Sequence, residues 1–267
     1  MHLSFSLSSL ARLSLFALAA TIGCGAPADS PTDSPEDPTA QNENAIIGGV
    51  ADTGDPSIIA LYAKEPDKMA GALCTATIIS PTVVLTAAHC VHPDLVGAKA
   101  EFNVLTAPDL TDPSKPSPRL KVKEVHWDPL FSRLNILDGH DIAVAILESP
   151  TTLTPIAWNK NPLPTDLTGK TIRLVGYGLN DSVNKKGAGV KRQLSIKLNS
   201  FDDKFVKTGS LIPWKGICQG DSGGPVLAKI GGVETVIGVN SFGILLCLFE
   251  ASSTRVDTYK SFVEKYL

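Results

Sequence analysis

No stretch of this 267-residue chain reaches the roughly 20 consecutive apolar residues that a membrane-spanning helix requires. Basic excess is lacking too: 24 Lys and Arg stand against 27 Asp and Glu, a net charge of −3. A nucleic-acid partner, which needs a clustered basic face, is therefore not expected. Aromatic residues make up only 6%. No internal repeat of solenoid period is visible, which excludes a stacked-repeat architecture. No acidic cluster of the kind that holds calcium follows His89, and no metal or cofactor is expected.

What is present divides sharply near residue 45. Residues 13–22 (LSLFALAATI), preceded by Arg12, are too short to span a bilayer but suit the apolar core of an export signal over 1–23. Residues 24–45 are rich in Pro, Ser, Thr and acid, and residues 26–45 contain no apolar side chain larger than Ala or Pro. Such a segment cannot bury enough surface to offset its conformational entropy and reads as a disordered tether. Export places the protein outside the cytoplasm, where disulfides persist. Of the five cysteines, Cys74, Cys90, Cys218 and Cys247 form an even set for which three pairings are open. Cys24 is left over. The stretch Thr21-Ile22-Gly23-Cys24 resembles a bacterial lipobox, so Cys24 is a lipidation candidate, either anchoring the protein at the cell envelope or, without lipid, leaving it secreted.

From residue 46 onward the chain reads as all-β. Short Val-, Ile-, Leu- and Thr-rich runs at 77–79, 83–86, 142–147, 171–175, 193–198, 226–228 and 235–239 are separated by Gly, Pro, Asn and Asp. In 142–147 larger side chains alternate with Ala, which predicts one tightly packed face. Tyr259, Phe262, Val263 and Tyr266 predict a terminal helix over 257–267.

Three stretches carry candidate chemistry. Gly220-Asp221-Ser222-Gly223-Gly224-Pro225 can hold a serine where a substrate carbonyl approaches and backbone N–H groups point outward. Thr86-Ala87-Ala88-His89-Cys90 follows a strand, and His140-Asp141-Ile142 places an acid at the start of another. Alone, each fits a bland role: a glycine-rich hairpin, a hydrogen-bonded histidine, a solvated loop carboxylate. Together they describe an activated nucleophile, its base and the carboxylate that orients the base.

In this order, His89, Asp141 and Ser222 resemble the catalytic residues of the chymotrypsin/trypsin family of serine proteases. The likeness covers residues 46–267 and extends to Ile46-Ile47-Gly48-Gly49, Val175-Gly176-Tyr177-Gly178 and Ser241-Phe242-Gly243. Tyr177 and Phe242 stand where the family usually has Trp, and Cys74-Thr75-Ala76 stands for its common Cys-Gly-Gly. The resemblance implies two six-stranded antiparallel β-barrels with a C-terminal helix, a monomer, and disulfides Cys74–Cys90 and Cys218–Cys247. It also implies an oxyanion hole from the N–H groups of Gly220 and Ser222, with Ser241 supporting Asp141. Asp138 is the rival acid, set aside because Asp141 abuts the strand; His92 and His126 are expected at the surface.

By the same resemblance, cleavage before Ile46 frees an amine that pairs with Asp221. The residue before that cut is Ala45, so an activating protease of trypsin-like specificity is not expected. The specificity pocket is expected at Gly216, Ile217, Ser241, Phe242, Gly243 and Ala251. Gly216 at the floor is neutral, which predicts protein or peptide substrates with an apolar residue before the scissile bond, unless Glu250 reaches the pocket and favours a basic one. The reading is a serine endopeptidase. The alternative is a catalytically silent, protease-like binding module. An α/β-hydrolase esterase is excluded by the order of the motifs, because His89 precedes Ser222.

Overall fold

The computed structural model describes residues 46–209, 215–243, 247 and 250–267. The expected export signal, tether and Cys24 lie outside these residues. Among the described residues no helix is long and apolar enough to cross a membrane.

Among the described residues fourteen strands carry the fold: β1 (Val50–Ala51), β2 (Ile58–Lys64), β3 (Ala72–Ile78), β4 (Val83–Thr86), β5 (Glu101–Leu105), β6 (Arg119–Trp127), β7 (Ala143–Leu147), β8 (Ala157–Trp158), β9 (Thr171–Gly176), β10 (Arg192–Phe201), β11 (Phe205–Thr208), β12 (Pro225–Ile230), β13 (Val233–Gly243) and β14 (Ala251–Arg255). Strands β2-β3-β4-β7-β6-β5 close into a first barrel, with β5 returning to β2. Strands β9-β10-β11-β14-β13-β12 close into a second, with β12 returning to β9. Every pairing within the two rings is antiparallel. Outside them β1 adds to β10, and β8 runs parallel to β13. This is the chymotrypsin-like fold.

Closure satisfies the strand-edge hydrogen bonds within each ring, and strands such as β2 and β7 are apolar on both faces because both faces are buried. In β7, Ala143, Val144 and Ala145 are all fully buried, rather than one face alone. The apolar cluster of the first barrel continues into Val175, Leu227, Val236 and Val239 of the second. Burying each Val, Leu or Ile of this kind contributes about 1.5–3 kcal/mol. The terminal segment opens with a 3₁₀ turn (Asp257–Tyr259) and becomes α-helical only over Lys260–Glu264, shorter than the predicted helix. Val263 is fully buried there, and Tyr259, Phe262 and Tyr266 pack on the first cluster.

One ionic knot ties β9 to the segment entering β2. The Arg173 guanidinium donates to Asp55 Oδ1 at 3.0 Å and also to Asp55 Oδ2, and from Nε to Glu234 Oε1 at 3.0 Å. These carboxylates, Asp55 first, hold Arg173 firmly in its charged form. Two disulfides, Cys74–Cys90 and Cys218–Cys247, join Cα atoms 6.1 and 5.0 Å apart. Closing a loop of the first size contributes on the order of 3 kcal/mol in the chain-entropy picture.

Candidate active site

Strand register brings the first two residues together. β4 pairs antiparallel with β7, Thr86 opposite Ala143. The chain just after β4 and the chain just before β7 therefore meet at the same end of the barrel. A 3₁₀ turn over Ala88–Cys90 carries His89, and Asp141 directly precedes β7. His89 Nδ1 lies 2.7 Å from Asp141 Oδ2, and the His89 backbone N–H donates to Asp141 Oδ1 at 2.9 Å. Asp141 is fully buried, whereas the His89 side chain keeps 21% of its surface. Ser241, in β13 of the other barrel, donates its hydroxyl to Asp141 Oδ2. Burial alone would push the Asp141 carboxyl up. The His89 ring and the hydrogen bonds from His89 and Ser241 outweigh it and hold the carboxyl below its ordinary value.

The segment before Asp141 is pinned from the C-terminus, a contact the sequence did not disclose. His140 holds the left-handed region (φ 67°), and its N–H donates to Tyr259 Oη at 2.7 Å.

Ser222 sits in the turn before β12. Its carbonyl accepts from Thr75 N of β3 at 2.8 Å, and Gly223 N donates to Asn240 O of β13 at 2.8 Å. Gly223 must be glycine: it has φ 79°, and a Cβ there would lie 2.1 Å from Thr86 Oγ1 and 3.1 Å from Ala87 N. The serine turn thus rests directly on the end of β4, in the stretch that leads to His89. Gly220 has φ 99° and packs so closely that a Cβ would lie 2.8 Å from Gly178 Cα.

Asp221 is fully buried, and its carboxylate accepts from Gly178 N and Cys218 N, each at 2.8 Å. Burial dominates over these two donors and pushes its pKa up to about 7. Ile46 is fully buried, and Ile47 forms a bridge to Gly216, with N–H to carbonyl distances of 3.0 Å both ways. Ile47 shares an apolar cluster with Leu179, the residue after Gly178, and with Cys218, whose own amide holds Asp221.

Beside Ser222 opens a cavity of about 260 Å³, lined by Ile217, Cys218, Gln219, Ser222, Ser241, Phe242, Gly243 and Cys247. None of these side chains is charged. Gly216 and Ala251 are not among them. Gly216 is held in its bridge to Ile47, and Ala251 lies 3% exposed in the second barrel, paired with Thr208 and Gly243. Gln219 lines the cavity without having been singled out from the sequence. Glu250 is not part of the lining; after Asp202, it is one of the charges that raise the Lys207 pKa.

The remaining candidates stand elsewhere. Asp138 is exposed and bonds Asn135, with Lys204 3.7 Å away. His92 caps the one-turn helix Pro93–Val96, and His126 stacks on Tyr266 with ring centroids 4.4 Å apart. Cys74, His89 and Cys90 bring potential metal-ligand atoms within 4.8 Å of one another, but both sulfurs are committed to the disulfide.

Comparison with known proteins finds trypsin-like relatives. The chain is 28% identical over 212 residues to a trypsin of Saccharopolyspora erythraea, covering 74% of this chain and 86% of that protein. It is 26% identical over 248 residues to the alkaline C trypsin of Manduca sexta, covering 83% and 91%. An inactive CLIP domain-containing serine protease A3 of Aedes aegypti is 27% identical over 189 residues, or 62% of this chain and 40% of that protein. The chain spans about half the length of several of the curated relatives it matches. The family model described as Trypsin matches residues 46–263, and the chain belongs to the trypsin family.

Proposed function

We propose that this protein is a serine endopeptidase in which Ser222 is the nucleophile, His89 its general base and Asp141 the carboxylate that orients the base. The observation that carries the reading is the 2.7 Å contact between His89 Nδ1 and Asp141 Oδ2. It fixes the imidazole with its other nitrogen, Nε2, available to a serine whose turn is packed on the same strand end. A serine hydroxyl is a poor nucleophile at neutral pH and needs such a base. In the reaction Ser222 Oγ attacks the scissile carbonyl while its proton passes to His89, and Asp141 stabilises the resulting imidazolium. The N–H groups of Gly220 and Ser222 receive the oxyanion. His89 then returns the proton to the leaving amine, and water hydrolyses the acyl-enzyme by the same route.

Activation by cleavage before Ile46 is part of the proposal. Asp221 is a buried carboxylate whose pKa burial raises even against the charge of Arg192, and a new ammonium at Ile46 would add a positive charge to stabilise its ionised form. Ile46 itself supports the reading. Its φ is 43°, in the left-handed region that a β-branched residue rarely adopts. Cutting the bond before Ile46 removes that dihedral altogether, and with it a strain of about 1–2 kcal/mol. An activator cutting after Ala45 would not be trypsin-like.

The uncharged lining beside Ser222 supports a preference for an apolar side chain before the scissile bond. The two disulfides suit an exported protein, secreted or lipid-anchored through Cys24. The decisive test is fluorophosphonate labelling of the chain processed to begin at Ile46, with a peptide-library cleavage profile. Modification at Ser222 with cleavage after apolar residues is expected. No labelling at all would instead favour the silent binding module.

A further inference from the structure

We propose that the Thr75 hydroxyl is a positioning group for the oxyanion hole, an inference that rests on the peptidase reading. Thr75 lies in β3 of the first barrel and is fully buried. Its Oγ1 accepts from Tyr177 N at 3.0 Å and donates to Gly220 O at 2.8 Å. A hydroxyl has one proton, and with the Tyr177 N–H occupying a lone pair that proton goes to Gly220.

Gly220 is the residue whose own N–H is assigned to the oxyanion. With no Cβ and φ 99°, it has little intrinsic reason to keep one orientation. Three bonds restrain it. Leu179 N donates to Gln219 O at 2.8 Å, which fixes the peptide before Gly220. In a trans peptide the N–H points opposite to the carbonyl, so the Gly220 N–H is turned away from Leu179. The peptide after Gly220 is held at both ends: its carbonyl accepts from the Thr75 hydroxyl, and its N–H, that of Asp221, donates to Cys218 O at 3.0 Å. With both flanking peptides held, the glycine dihedrals are set and its N–H is aimed.

Thr75 is in turn well anchored. Its N–H donates to Ser222 O at 2.8 Å, and its carbonyl accepts from Thr86 Oγ1 at 3.1 Å, in the stretch leading to His89. One residue of the first barrel thereby contacts the nucleophile turn, the Gly-Tyr-Gly segment and the strand end before the base. A glycine at this position could make the backbone contacts but not the hydroxyl bridge.

The test uses the full chain carrying an enteropeptidase site immediately before Ile46, processed to begin at Ile46. Thr75→Val keeps the shape and removes the hydroxyl; Thr75→Ser keeps the hydroxyl. For Thr75→Val, kcat on a peptide anilide should fall about tenfold, less than the hundredfold or more for outright loss of a donor. KM should move less than twofold. The rate of fluorophosphonate modification, whose phosphoryl oxygen occupies the oxyanion hole, should fall in proportion to kcat. Thr75→Ser should recover both to within about threefold of wild type, since the conservative variant restores the donor. If Thr75→Val does not fold, Thr75→Gly is read in its place with the same expectation. A valine or glycine variant with wild-type kcat and labelling rate, whatever its melting temperature, overturns the proposal. An inactive, unlabelled wild type overturns the peptidase reading itself.

Discussion

The Ser241 hydroxyl donates to Asp141 Oδ2, the same carboxylate oxygen that faces His89 Nδ1. Asp141 belongs to the first barrel and Ser241 to the second, so the bond spans the two barrels at the point where His89 and Asp141 meet. Ser241→Ala should therefore weaken both stability and acid tolerance of activity. A hydrogen bond to a buried charged group contributes about 2 kcal/mol. Because the folded Asp141 carboxyl is held low, its stabilisation is present above the unfolded carboxylate pKa and is lost as pH falls through the folded value. The destabilisation by Ser241→Ala should be greatest at neutral pH and shrink below about pH 4. Urea unfolding across pH 3–8 measures this. A constant difference over that range would remove Asp141 ionisation from the account.

Ser222→Ala should abolish peptidase activity, a loss of roughly a millionfold in kcat, with little change in unfolding midpoint. His89→Ala should cost about as much. The double variant should lose no more than either alone, because the residues act as one unit. Losses that multiply would count against the assignment.

The proposed catalytic residues stood out in the sequence because each lies in a short local motif: a serine among glycines, a histidine at a strand end, an acid before a buried strand. The barrels were less legible. β14 reads Ala-Ser-Ser-Thr-Arg, with no apolar alternation, yet Ser253 and Thr254 are fully buried. Ser253 Oγ donates to Asn240 Oδ1 at 3.0 Å inside the second barrel, so hydrogen bonding rather than hydropathy accounts for its place. β6 alternates but is largely exposed, and β2 is apolar on both faces; neither pattern singled out a strand from sequence. The departure at Thr75 was visible in the sequence. Its bridge to Gly220 was not, because the two residues meet only when both barrels are closed.

Gly243 lines the cavity beside Ser222, and among the described residues a Cβ there would meet nothing within 4 Å. Gly243→Val should therefore fold normally while filling the cavity mouth. It should lower kcat/KM for a substrate with Phe before the scissile bond by about 10- to 100-fold, and for the Ala analogue by much less, the range expected for a few methylenes in an apolar pocket. Equal losses on both substrates would mean that this cavity does not receive the side chain.

Asp221 gives the sharpest test of the activation reading. In the uncut chain its pKa is about 7, against about 4 for an unfolded aspartate. The folded precursor therefore binds this proton more tightly than the unfolded chain does. Its stability should fall as pH rises from about 4 to 7, by up to about 4 kcal/mol, and then level off. Asp221→Asn removes the ionisation and should flatten that slope. Its offset at low pH reports only the acceptor lost to Gly178 N or Cys218 N. After cleavage the sign reverses: an Ile46 ammonium beside Asp221 favours the carboxylate, so the aspartate should now stabilise the protein at pH 7 and the asparagine should lower both stability and activity. Urea unfolding of cut and uncut chains, each with Asp or Asn at this position, separates the two effects in one experiment. A cut enzyme in which the substitution has the same pH profile as in the uncut chain would show that no ammonium reaches Asp221, and that activation must work by other means.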